Sequence, residues 1–216
     1  AECTAAGGFD FDDGDCFHYL DEIRIKDIPN LDIAGYDSAS LQEDANLGRL
    51  KVITDLGVEC TDPADTAALE STGQPGASCT YTELYSFGAR SMTIWNSETG
   101  EPVFDTGNDF EVITANRYGA DFNATNDENG GDDRSDDKGP EPEGVAIGVI
   151  DGKTYAFIGL ERMGGIMVYN ISTPEAAEFV QYINPRDLTI ADAEADLDLI
   201  GDLGPEGLYV VDAEDS

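Results

Sequence analysis

Residues 145–172 narrow the folds open to this chain more than any other stretch. "VAIGVI" (145–150) is apolar and rich in β-branched residues. Asp151-Gly152 follows it, a dipeptide suited to a two-residue hairpin turn because both residues tolerate positive φ. "KTYAFIGLER" (153–162) reads as a second strand and Gly164-Gly165 as a second turn. "IMVYNI" (166–171) reads as a third strand, ended by Ser172-Thr173-Pro174. Three short strands joined by tight turns make an antiparallel meander, the unit of a sandwich, a barrel or a propeller blade.

A second meander is legible upstream. "TELYSFGA" (82–89) and "RSMTIWNS" (90–97) read as strands, "ETGE" as a turn and "PVFDTG" (102–107) as a third strand. "SMTIWNSETGEPVFDTG" parallels "GIMVYNISTPEAAEFVQYI": an apolar strand, a polar turn, then an outer strand carrying an aromatic residue. "PEGV" at 142–145 recurs as "PEGL" at 205–208, each ahead of an expected apolar strand, "VAIGVI" after the first and "YVV" after the second. Repeats of this length point to blades with long loops. The expected fold is all-β: antiparallel meander blades of a partial β-propeller with long acidic loops and a few short helices. The helices are expected within 38–50, 62–72 (one or two turns) and 192–201.

One domain is expected over 1–216. It comprises a loop-rich partial blade (1–50), a blade with a disulfide-bearing insertion (51–125), an acidic stretch plus a blade (126–202), and the start of a next blade (203–216). Such a chain reads as part of a longer protein, or as one whose strand edges need partners.

Charge limits the partners. There are 46 acidic residues against 11 basic ones, a net charge of −35. Nucleic-acid binding through phosphates needs clustered Lys and Arg, so it is excluded; attraction to an anionic membrane surface fails for the same reason. Divalent cations are the natural partners of such a field. The alternative for the global charge is a solvation surface of marine or halophilic type. No run of apolar residues is long enough to span a membrane, and no signal peptide is visible.

Four cysteines, Cys3, Cys16, Cys60 and Cys79, occur without a CxxC pair, and His18 is the single histidine. A zinc site is therefore not expected. The even count suggests disulfides in an oxidising compartment, and proximity favours Cys3–Cys16 and Cys60–Cys79 among three possible pairings. Free buried thiols are the alternative. Asn123-Ala-Thr and Asn170-Ile-Ser are N-glycosylation sequons.

Two acidic stretches offer hard oxygen ligands. "NDENGGDDRSDDKGPEPEG" (126–144) supplies Asp132, Asp133, Asp136, Asp137, Glu141 and Glu143, with Gly and Pro to turn the backbone around an ion. Calcium takes six to eight oxygens, so calcium is the expected cofactor. The loop is not an EF-hand: the twelfth position from Asp127 is Lys138. The alternative is a solvated loop in which Arg134 and Lys138 pair with neighbouring acids. "FDFDDGD" (9–15) supplies Asp10, Asp12, Asp13 and Asp15 as a second candidate. Ser135, between Arg134 and Asp136, is the one serine placed to suggest a nucleophile, and a turn serine is the favoured reading. Trp95 and His18 are expected to be structural, Trp95 packed between sheets.

"ELYSFGARSMTIWN", "VFDTGNDFEVITA", "GKTYAFIGLERMGGIMVYNI", "FVQYINPRD", "GDLGPEGL" and the acidic stretch itself resemble the choice-of-anchor I family, as do "DEIRIKDI" (21–28) and "LGRLKV" (47–52). That family comprises secreted, surface-anchored bacterial proteins and is similar to the mesenchyme-specific cell-surface glycoprotein of sea urchin. The first twenty residues and the Cys60–Cys79 segment depart from its pattern. The resemblance implies a seven-bladed propeller and a secreted, extracellular or cell-surface location, or a periplasmic one. Members carry an alkaline phosphatase-like label, and the sea-urchin relative a link to biomineralisation; neither supplies a catalytic residue. The expected role is a calcium-associated structural and interaction module without assigned catalysis. A metal-dependent phosphohydrolase is the alternative, and a subunit of an extracellular assembly using exposed strand edges is the second.

Overall fold

The computed structural model describes residues 9–10, 16–88, 90–126, 128–190 and 195–211. Cys3, Asp12, Asp13 and Asp15 lie outside them, and with them the Cys3–Cys16 pairing and the set of ligands expected in 9–15. The described strands lie mainly in antiparallel sheets with few helices, as an all-β reading expects. The chain divides into two compact units, Ala1–Gly88 and Ala89–Ser216.

In the first unit β1 (Phe9–Asp10) pairs with β2 (Cys16–Phe17), placing Asp10 opposite Cys16. Strand β3 (Glu22–Arg24) pairs with β4 (Lys51–Ile53). A single-turn helix α1 (Ser38–Leu41) lies between them in sequence. Strand β5 (Val58–Cys60) pairs with β6 (Cys79–Tyr81). Ile25, Ile28, Leu31, Val52 and Tyr81 form the core. The buried Tyr81 hydroxyl donates to the Thr54 carbonyl, and burial pushes its pKa up to about 12.

Cys60 and Cys79 face each other in the β5–β6 register and are disulfide-bonded, as proximity predicted. Closing a loop of this length stabilises by about 3 kcal/mol in the chain-entropy account. The loop holds α2 (Pro63–Thr72), longer than the one or two turns expected. Its ends explain the length. The Asp62 side chain accepts from Ala64 N at 2.8 Å, Pro63 pre-sets φ, and Gly73 closes the helix with φ +70°.

The second unit contains the one four-stranded sheet among the described residues, in the order β12-β11-β10-β9. Its strands are β9 (Pro142–Ile150), β10 (Lys153–Leu160), β11 (Ile166–Asn170) and β12 (Glu178–Ile183). The turn at Asp151 (φ +51°) and Gly152 (φ +76°) has the backbone that Asp-Gly predicts. The hairpin of β7 (Thr93–Trp95) and β8 (Pro102–Asp105) precedes helix α3 (Asp109–Tyr118). Short helix α4 (Leu197–Ile200) follows the sheet. Ala156, Ile158, Met167, Tyr169 and Tyr182 pack with Phe110 of α3 into a buried core. Cross-strand registers put these five on one sheet face.

Three readings need correction. "TELYSFGA" is not a strand. Over 82–88 the single β contact is the bridge from Ser86 to Val52; Tyr85 and Phe87 remain exposed, and Leu84 alone packs against the core. "NDFEVITANRY" was read only as part of a motif, yet it forms α3. Asp109 and Glu111 sit in the first turn and Arg117 in the last, complementing the helix dipole. "GLYVV" forms no strand either. Its segment lies against the sheet without a hydrogen-bonded ladder: a Cβ on Gly148 would meet Val210 at 2.9 Å, and one on Gly144 would meet the Glu206 carbonyl at 2.7 Å.

Candidate functional site

The acidic stretch before β9 is a folded turn. Asp132 N donates to Phe122 O (2.8 Å), Arg134 N to Asn123 O (2.9 Å) and Gly139 N to Arg134 O (2.7 Å). Asn123, Asp132, Gly139 and Glu141 adopt positive φ, so the chain reverses repeatedly over a short distance. Two arginines hold it. Arg90 donates to the carbonyls of Ser135 (2.6 Å) and Asp137 (2.9 Å) and pairs with Glu111 (2.6 Å). Arg134 pairs with the buried carboxylates of Glu141 and Asp137, the latter at 3.3 Å.

Among the described residues, one group of carboxylates converges. Glu141, Glu143 and Glu161 have oxygens within 4.8 Å of one another. The ladder causes this, because Glu141 and Glu143 flank the start of β9 and Glu161 follows the end of β10, its neighbour. Glu161 N also donates to Glu141 O at 2.8 Å. Basic groups share the site: Lys138 lies 3.8 Å and Arg162 3.6 Å from Glu141, and Arg162 lies 3.6 Å from Glu161. The pKa of Glu143 is raised, first by the desolvating protein around it and then by Glu161 and Glu141, while Lys138 opposes the rise.

The expected ligands therefore separate. Glu141 and Glu143 are brought together. Asp137 is drawn to Arg134, Asp132 accepts from the Ser135 hydroxyl, and Asp133 is exposed. Ser135 Oγ also accepts from Asn123 Nδ2 at 2.9 Å, which ties the hydroxyl into the turn. The donor set is three carboxylates, hard oxygens of the kind a divalent cation takes as part of its shell. Glu141 is the residue most committed to cations already present, which leaves Glu143 and Glu161 as the better ligands.

Sequence reasoning missed two residues here. Glu161 follows "IGL" on a strand and has no acidic neighbour, so only the register reveals it. Arg186 is 4 % exposed. Its guanidinium donates to the carbonyls of Thr125 (2.6 Å), Glu128 (3.1 Å) and Arg162 (2.9 Å), and through Nε to Asn129 Oδ1 at 3.0 Å. It fastens the start of the acidic stretch to the turn after β10. The signal was scarcity: a chain with so few basic residues still spends one in "NPRD".

A groove of about 410 Å³ runs between the β7 hairpin strand and β9–β10, lined by Ile94, Trp95, Val145, Ile147 and, at one end, Glu143. Trp95 is 60 % exposed and is not packed between sheets, contrary to expectation. His18 is exposed as well. No helix among the described residues is long and apolar enough to cross a membrane.

Residues 11–174 match the choice-of-anchor I domain family. The chain is 32 % identical over 139 residues to Gigasin-3a of Magallana gigas, an alignment spanning 62 % of this chain and 43 % of that protein. The chain thus aligns with less than half of the curated relative it matches. No solved structure matches the chain.

Proposed function

The chain belongs to the choice-of-anchor I domain family, and from that premise we propose that it is a calcium-associated, non-catalytic module of an extracellular or cell-surface protein, built as part of a β-propeller. The four strands of the β9–β12 sheet support reading it as one blade, and the packing of residues 203–211 against it supports reading them as the start of a next one. The observation that carries the calcium reading is the convergence of Glu141, Glu143 and Glu161 at the head of that sheet. Desolvation is the first cause of the raised Glu143 pKa, and a divalent cation there would relieve the repulsion from Glu161 and Glu141 that adds to it.

Calcium binding to the folded chain alone stabilises by RT ln(1 + [L]/Kd), about 2.7 kcal/mol at a hundredfold excess over Kd. The melting temperature is expected to rise with calcium in the wild type and far less in Glu143→Gln. A melting temperature indifferent to calcium sinks the reading. Glu143→Gln has its own pH signature without metal. The folded chain holds the Glu143 proton more tightly than the unfolded chain, so ionising this group costs stability as pH rises past the ordinary carboxylate value. The variant is expected to be the more stable near pH 7, with the gain fading below about pH 4.3, where both states carry the proton.

The edge of the sheet favours a second reading, a subunit of an extracellular assembly. On β9, an edge strand, Val145, Ile147 and Val149 are 60 %, 62 % and 63 % exposed, an apolar template for a further strand. Light scattering across a concentration series should show association that strengthens with salt, as screening weakens the repulsion of a −35 chain. Ile147→Lys should weaken it. A monomer at every concentration and salt removes this reading.

A further inference from the structure

The two sequons differ in the folded chain. Asn123 is fully buried, at 0 % exposure. Its Nδ2 donates to Glu111 Oε1 at 3.0 Å and to Ser135 Oγ at 2.9 Å, and its carbonyl accepts from Arg134 N at 2.9 Å. A sugar on this nitrogen would remove a donor from two acceptors and force a bulky polar group into the interior of the acidic turn, a cost no surface contact offsets.

Asn170 is the reverse case. It ends β11 and is half-buried, and residues 172–176 after it are exposed. Its Oδ1 accepts from Ser172 N at 3.1 Å and from Ser172 Oγ at 2.7 Å. Both bonds use the carbonyl end of the amide, so Nδ2 has no acceptor among the described residues. The Ser172 hydroxyl draws electron density from the amide through Oδ1, which makes an Nδ2 proton easier to lose. Tyr155 pairs with Asn170 in the ladder and shares its sheet face.

We propose that Asn170 is an N-glycan attachment site and that Asn123, despite its sequon, is not. The transfer forms a bond from Asn170 Nδ2 to the anomeric carbon of a polyisoprenoid diphosphate-linked oligosaccharide. The bond from that carbon to the diphosphate breaks, the lipid diphosphate leaves with the electron pair, and one Nδ2 proton is released; nothing is oxidised or reduced. The proposal rests on the extracellular or surface reading, because such transfer takes place on the export route.

The test expresses the full chain behind a secretory leader in a glycosylating host. Intact mass and glycopeptide mapping are measured for the wild type, Ser172→Ala and Thr125→Ala, with a thermal melt to confirm folding. One glycan on Asn170 is expected. It should disappear in Ser172→Ala, which keeps Asn170 itself, and persist unchanged in mass in Thr125→Ala. A folded, secreted wild type with a glycan on Asn123, or with none on Asn170, overturns the proposal. The leader imposes export, so a failure here leaves the reading of the natural location untouched.

Discussion

Arg186→Met is expected to cost the 89–216 unit about 3–5 kcal/mol, roughly 1–1.5 kcal/mol for each of three carbonyls that lose a charged donor. The reason is the number of groups left behind. The guanidinium donates to the carbonyls of Thr125, Glu128 and Arg162, all part-buried, so each acceptor left without this donor costs toward the lower end of about 1–3 kcal/mol. Methionine replaces the volume of the stem and none of the donors. Arg186→Lys is expected to recover only part of the loss, since a single ammonium cannot reproduce a fork that reaches three carbonyls and Asn129. Urea unfolding gives the stability, and amide exchange at residues 125–129 gives the local effect, which should exceed that elsewhere in the unit. A loss below about 1 kcal/mol, or exchange spread evenly over the unit, would show that Arg186 does not anchor the acidic stretch.

Phe110→Ala is expected to have an effect of the same size, about 3–5 kcal/mol, by a different route. Phe110 has 0 % exposure and sits against Tyr169 with ring centroids 5.9 Å apart at an interplanar angle of 60°. Removing the ring leaves a cavity between α3 and the sheet and forfeits the edge-to-face contact. Two hydrogen bonds remain across the same junction, from the Tyr169 hydroxyl to Asp109 Oδ2 at 3.1 Å and from the Arg117 guanidinium to the Tyr182 carbonyl at 2.8 Å. The helix should therefore loosen without detaching. Phe110→Leu, which keeps most of the volume, should cost clearly less; equal losses for the two variants would contradict the cavity argument. Calorimetry reads both, and the change belongs to the transition of the unit that contains α3.

The contrast between these two sites shows what was legible beforehand. The meander of β9, β10 and β11 was visible because alternation and Asp-Gly chemistry are local. The Cys60–Cys79 bond was visible because a short loop leaves few partners. Helix α3 was overlooked because Val112, Ile113 and Thr114 give it a β-like reading, although Asp109, Glu111 and Arg117 mark its ends. "GLYVV" misled in the opposite direction. Its composition is that of a strand, but strand identity requires a partner's backbone, and composition does not supply one. Of the expected calcium ligands, Glu141 and Glu143 are local to each other, whereas Glu161 joins them only through the ladder.

The acidic stretch marks the boundary between the two kinds of information. Its charge and its Gly and Pro content, together with the apolar strand that follows, are properties of the sequence. They were sufficient to place it ahead of a sheet. They could not say which carboxylates meet, because eight acids in one stretch are equivalent until distant cations choose among them. Arg90 and Arg186 fix its backbone, while Arg162 makes that choice from the turn after β10, and Arg134 and Lys138 from within the stretch. They draw Asp137 and Glu141 inward and leave Glu143 beside Glu161. Pairing energies fall steeply with distance and rise with burial, so only the tertiary structure, which sets both, decides where the unbalanced charge lies.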